Sequence, residues 1–164
     1  MDILKDFLDK DEVVIGSTKS QVKYFTINKL KSYWLYIIMW LIMNAFFLYL
    51  YFLQEISNNY WFVCIPIIGF DLLGLLAIFN SIAKPANDMA DIGYAYSDKA
   101  LYMYNTGRHK YVNKILYSDV VGFEKAKEGT KGFYVYSKTN VIKIEFIENE
   151  AFWYKEIAKR INTR

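Results

Sequence analysis

The sequence predicts a two-helix membrane hairpin joined to a small β-rich soluble domain that closes with one amphipathic helix. Three observations predict this. Residues 32–54 form a run of 23 residues without a formal charge, SYWLYIIMWLIMNAFFLYLYFLQ. A second apolar run, NYWFVCIPIIGFDLLGLLAIFNSIA, carries a single charge, Asp71. Beyond Pro85 the apolar pattern switches to strand-like alternation and returns to a helical period only near the C-terminus. A helix rises ~1.5 Å per residue, so about 20 apolar residues cross a ~30 Å hydrocarbon core. Each run is long enough alone. The rival reading is a pair of core helices in a soluble bundle, but such helices usually keep a polar face and neither run has one.

Element by element, residues 2–10 place Ile3, Leu4, Phe7 and Leu8 on one helical face, which predicts a short amphipathic helix or a frayed N-terminus with a hydrophobic edge. Residues 11–18, DEVVIGST, read as a strand because Val13, Val14 and Ile15 are β-branched and Gly16 ends the run. The spans follow at 33–53 and 60–82. After Pro85, strands are expected around Tyr94 and Tyr96, at 100–106, 109–117, 120–126, 132–137 and 140–147. Turns are expected at Ser97-Asp98-Lys99, at Gly107 (a position for positive φ), at 128–132 and at 138–140. From Asn149 onward Trp153, Ile157 and Ile161 recur at helical spacing with Phe152 beside them. Asn149 suits the cap, Glu150 the first turn, and Lys159 and Arg160 the last. The organisation expected is an N-terminal segment 1–31, a hairpin 32–83 and a soluble domain 84–164.

Lysine placement sets the expected topology. Lys19, Lys23, Lys29 and Lys31 precede the first span and Lys84 follows the second, while the loop 54–59 has neither Lys nor Arg. The positive-inside rule then places both termini in the cytoplasm of a multi-pass cell-membrane protein. Tyr33, Trp34, Tyr51, Tyr60 and Trp61 fall near the interfaces, where amphipathic rings are favoured. No signal peptide is expected, because the first 30 residues are charged throughout.

Composition excludes several functions. One Cys (Cys64) and one His (His109) rule out an intramolecular disulfide and leave too few soft ligands for a structural zinc site. The stretch 84–164 carries 14 Lys and Arg against 10 Asp and Glu, a mixed surface rather than the basic stripe of a nucleic-acid domain. His109 has no Ser, Cys or carboxylate partner at motif spacing, and GTKG (129–132) is a turn rather than a phosphate loop. Hence no enzyme, no cofactor, no metal and no nucleic acid are expected. The partners expected are the lipid bilayer and a protein partner or a second copy.

Asp71 is the most unusual residue, since a carboxylate at mid-span costs ~2.5–3.5 kcal/mol to insert. Counted inward from the loop, Asn44 and Asp71 reach similar depth, which makes them a candidate intramembrane polar pair locking the hairpin. A proton or ion relay, or an Asp71 meeting another subunit or its own backbone, are the alternatives. Gly69, Gly74 and Pro66 are expected to loosen the second helix.

Six short strands followed by an amphipathic helix suggest a curved antiparallel sheet or partly open barrel plugged by that helix. The pieces GYAYSDKALYMY, ILYSDVVGFEKA, GFYVYS and VIKIEFIENEAFWYKEIAKRI, with the opening LDKDEVVIGS before a hairpin, resemble bacterial pleckstrin-homology-like domains of small membrane proteins. The resemblance covers residues 92–161 plus the N-terminal strand. The soluble segment is short for a full seven-stranded barrel, so either DEVVIGST supplies a missing strand from before the hairpin or the barrel is incomplete. The first is expected, since both segments are expected on the same side of the membrane. The resemblance implies that the domain binds a protein beside the bilayer. Basic loops of such folds hold phosphorylated headgroups, so the resemblance also makes Arg108, His109 and Lys110 a candidate phospholipid-headgroup contact. Read without it, the three are a charged hairpin tip. The expected function is therefore a non-enzymatic membrane protein that presents this domain. The alternative is a small transport-related or immunity-type membrane protein whose hairpin, with Asp71, carries the activity.

Overall fold

The computed structural model describes residues 2–53, 61–126 and 131–163. The expected loop at 54–59, with Tyr60, and the tip of the turn at 128–130 lie outside them. The chain divides into two compact units, one formed by Met1–Phe25 with Asn87–Arg164 and the other by Thr26–Ala86.

The first unit is built from two antiparallel sheets and a terminal helix. Sheet one has the order β1 (Gly16–Lys19), β2 (Ile92–Tyr96), β3 (Ala100–Asn105), β4 (Tyr111–Leu116). Sheet two has the order β5 (Val120–Lys125), β6 (Phe133–Ser137), β7 (Val141–Ile144). A single 3₁₀ turn, Tyr117–Asp119, passes the chain from one sheet to the other. β1 pairs antiparallel with β2, Gly16 facing Tyr96 and Lys19 facing Gly93, so a strand from before the hairpin completes the first sheet. The two sheets do not form a closed barrel.

Strand alternation builds two cores. Leu101 on β3, Tyr94 and Tyr96 on β2 and Ile115 on β4 face inward. They meet Phe133, Val135, Ile142 and Ile144 from the second sheet, and Trp153 and Ile157 from helix α5 (Glu150–Asn162). The opposite residues of the first sheet, Ala95, Ala100, Tyr102 and Tyr104, are also buried, beneath Ile3, Leu4, Leu8 and Val14 of the N-terminal segment. The first sheet is thus covered on both faces. Leu4 alone is 1% exposed, and full burial of such a side chain contributes about 1.5–3 kcal/mol.

Several expectations are corrected here. The N-terminal helix is only α1 (Asp2–Lys5), because the N–H groups of Phe7 and Leu8 both close onto the Leu4 carbonyl and a turn from Asp9 to Glu12 follows. The strand expected at 11–18 lies later, at β1, and Val13 and Ile15 are largely exposed. Helix persists past Pro85 as α4 (Lys84–Ala90), which continues directly from a preceding π-helical stretch (Phe79–Ala83). Asn149 opens α5 through a left-handed backbone (φ 55°) and makes no side-chain cap. Phe152 is 55% exposed rather than packed, whereas Trp153 meets the Tyr96 ring edge-on at 4.9 Å. Gly107 does not use positive φ; Gly132 does (φ 114°), and a Cβ there would collide with the Ile144 carbonyl oxygen.

The second unit contains most of α2 (Val22–Phe52), then α3 (Trp61–Ile78) and a π-helical stretch (Phe79–Ala83) that runs into α4. Val22–Leu50 and Cys64–Ala90 are both long and apolar enough to cross a membrane. None of the most apolar window of the first is buried, and only 6% of that of the second. The helices meet through aromatic side chains. The Trp40 indole lies against Gly74, where an added Cβ would stand 2.7 Å from Nε1, and Phe47 meets Phe70 edge-on at 6.4 Å.

Candidate functional site

Burial and hydrogen bonding single out a polar network in the sheet unit that spacing does not reveal. Glu12 ends the Asp9–Glu12 turn and its carboxylate is fully buried. The Ser97 hydroxyl donates to Oε1 in a short hydrogen bond, and the Tyr102 hydroxyl donates to the same oxygen at 2.6 Å. The Asp9 N–H (3.2 Å) and the Lys114 ammonium (3.3 Å) reach Oε2. Lys114 also pairs with Asp9 at 3.3 Å and lies 5.4 Å from the centre of the Tyr102 ring. Ser97 Oγ in turn accepts from the Lys99 and Ala100 N–H groups, which fixes the β2–β3 turn.

Burial opposes ionisation of Glu12, but its four donors outweigh burial and hold the carboxyl down at about 2. Burial, reinforced by the Glu12 charge, pushes the Tyr102 phenol far above its ordinary 10.0. The arrangement is therefore an ionised carboxylate clamped by neutral hydroxyls and one ammonium. Ser97 spends its proton on Glu12, so it is not an activated nucleophile. What the network does is staple the N-terminal segment over Tyr102 and Ala100.

A second polar contact joins the two sheets, where Asn113 and Asn140 exchange side-chain amide hydrogen bonds. Tyr117 is buried and its hydroxyl has no hydrogen-bond partner among the described residues.

The residues singled out by sequence reasoning fall elsewhere. The Trp40–Gly74 and Phe47–Phe70 contacts set an antiparallel register that puts Asn44 and Asp71 at about the same level. Even so, no Asn44–Asp71 hydrogen bond forms among the described residues. Asn44 Nδ2 donates to the Trp40 carbonyl of its own helix at 3.1 Å, and Asp71 Oδ1 is buried without a hydrogen-bond partner among the described residues. A mid-helix amide can satisfy itself on the preceding turn of its own helix, an acceptor already in reach. Arg108, His109 and Lys110 lie exposed at the β3–β4 turn. That turn is shaped by the Gly107 N–H donating to Asn105 Oδ1 (2.7 Å) and the Thr106 N–H donating to the Asp91 carbonyl (2.9 Å). Among the described residues, no group of three or more His, Cys, Asp or Glu is placed to hold a metal ion.

Glu12, Ser97, Tyr102 and Lys114 carry no sequence signal as a set, because 85 residues separate the first two. The only local hint is an acid ahead of β-branched residues at the start of a segment that must close over an apolar sheet. Comparison with protein-family models, curated proteins and solved structures finds no match.

Proposed function

We propose that this chain is an integral membrane protein whose two long helices anchor a pleckstrin-homology-like domain, and that the domain docks a protein partner beside the bilayer on the cytoplasmic side without catalysing a reaction. The observation that carries this reading is the contrast between the units. The sheet unit buries its own apolar residues in two cores, while the helices leave nearly all of theirs uncovered. Uncovered helices of this length are stable in lipid, where every backbone group is satisfied within the helix. The order of four strands, three strands and a terminal helix supports the pleckstrin-homology-like assignment. The lysines flanking the helices support the cytoplasmic placement. Anchoring raises the domain's effective concentration at the membrane, and that is the mechanism of the proposed docking.

The test compares crosslinked partners of the full chain in native membranes with those of a version in which a Gly/Ser linker replaces residues 26–86. Because β1 and Glu12 precede the hairpin, a fragment beginning at Lys84 would lack both. The same captured proteins in the two samples are expected. Capture only by chains that retain the hairpin, even with the linker version supplied in large excess to offset the lost local concentration, would contradict domain-based docking. The uncompensated Asp71 Oδ1 favours one further reading, in which the hairpin itself carries an activity. Asp71→Asn separates the two, since a pure anchor tolerates it.

A further inference from the structure

A cleft of about 400 Å³ runs along the helical unit, lined by Tyr33, Tyr36 and Trp40 on one side and by Phe70, Gly74 and Ser81 among others on the facing side. Its hydroxyl-bearing residues cluster toward one end, where Tyr33 faces Ser81, and its far end is walled by Trp40, Phe70 and Gly74. The Trp40 Nε1–H is buried against Gly74 with no hydrogen-bond partner among the described residues. Ser81 and Ile82 line the cleft from the π-helical stretch, a rare geometry that is frequent at functional sites.

We propose that this cleft is a binding site for one acyl chain of a membrane phospholipid, which enters from the Tyr33–Ser81 end with its headgroup left at the interface. The inference rests on the membrane reading above and adds a resident ligand to it. Size decides the occupant. From Phe70 to Ile82 the facing wall spans about 18 Å at ~1.5 Å per residue, roughly the depth of one leaflet's hydrocarbon. A helix of ~10 Å diameter occupies roughly 1,400 Å³ over that length, far more than the cleft holds, so a helix of a second copy could lie only across its mouth. Carbons touch at ~3.5–4.0 Å, so a hydrocarbon chain is about 5 Å thick and fills about 350 Å³ over the same length. Polarity agrees with this choice. The wall is apolar along its depth, hydroxyls stand where an ester would lie, and Gly74 leaves room for the indole that closes the inner end.

The test reconstitutes the full chain in phosphatidylcholine vesicles doped with phosphatidylcholine that carries a mid-chain diazirine. After illumination, adducts are mapped by mass spectrometry. The expected result is adduct on Trp40, Phe70 and Ala77, which line the cleft, and also on Leu72, Leu75 and Leu76, which do not line it and lie open to bulk lipid. Ala77→Trp, which fills the cleft, should cut labelling of Phe70 about fivefold and leave Leu72 unchanged. Absence of label from Trp40, Phe70 and Ala77 while the three leucines are labelled, or labelling of Phe70 that ignores Ala77→Trp, would overturn the site while leaving the anchor intact. Absence of label from all six positions would overturn the site and the membrane reading together.

Discussion

Replacing Glu12 with Gln keeps the shape of the side chain and removes its charge, which isolates what the carboxylate contributes. In the fold that carboxyl is held down from 4.5 to about 2 by Ser97, Tyr102, the Asp9 N–H and Lys114. One pKa unit corresponds to ~1.4 kcal/mol, so the ionised form adds about 3 kcal/mol to the stability of the sheet unit at neutral pH. The sign follows from the direction of the shift. The folded carboxyl is the stronger acid, so its contribution is complete above the unfolded value of 4.5 and disappears as pH falls toward 2. With a urea slope of about 1.5 kcal/mol per molar, Glu12→Gln should lower the midpoint by roughly 2 M at pH 7. The gap between variant and wild type should close as pH drops from 5 to 2. Pulse proteolysis of the full chain in micelles across a urea series reads this directly, because the helices stay in the micelle while the sheet unit opens. A midpoint change under about 0.5 M at pH 7, or a gap that persists unchanged at pH 2.5, would refute the clamp.

Other substitutions probe the same fold. Trp153→Ala should destabilise the sheet unit by about 3–5 kcal/mol, since the indole is buried against Tyr96, whereas Phe152→Ala should stay within ~0.5 kcal/mol, both read by the same urea series. Gly132→Ala forces a Cβ onto the Ile144 carbonyl oxygen at φ 114°, and should cost at least ~1–3 kcal/mol of thermal stability measured by circular dichroism. Asp71→Asn should leave membrane insertion and partner capture unchanged if the helices only anchor; lost function with normal insertion would transfer the activity to the hairpin.

Legibility in the sequence followed how local each determinant is. The β6–β7 hairpin and the α5 period were readable because Phe133, Val135, Trp153 and Ile157 alternate or recur within a few residues. The long helices were readable from the length of their apolar runs. What escaped depended on distant partners. Phe152 fits a helical stripe as well as Trp153 does, and only the position of Tyr96 decides which of the two is buried. Val13 and Ile15 favour strand by type, yet their side chains are largely exposed and β1 starts only at Gly16, although the Ile15 N–H already donates to the Tyr96 carbonyl of β2 (2.8 Å). Equal depth along the hairpin suggested an Asn44–Asp71 bond, but Asn44 found an acceptor on the preceding turn of its own helix.

Alkaline carbonate extraction of membranes containing the full chain tests the architecture most directly, because high pH strips proteins held by surface charge and leaves those threaded through hydrocarbon. The polypeptide should remain entirely in the pellet and be solubilised only by detergent. Its release as an intact chain into the carbonate supernatant would contradict the account.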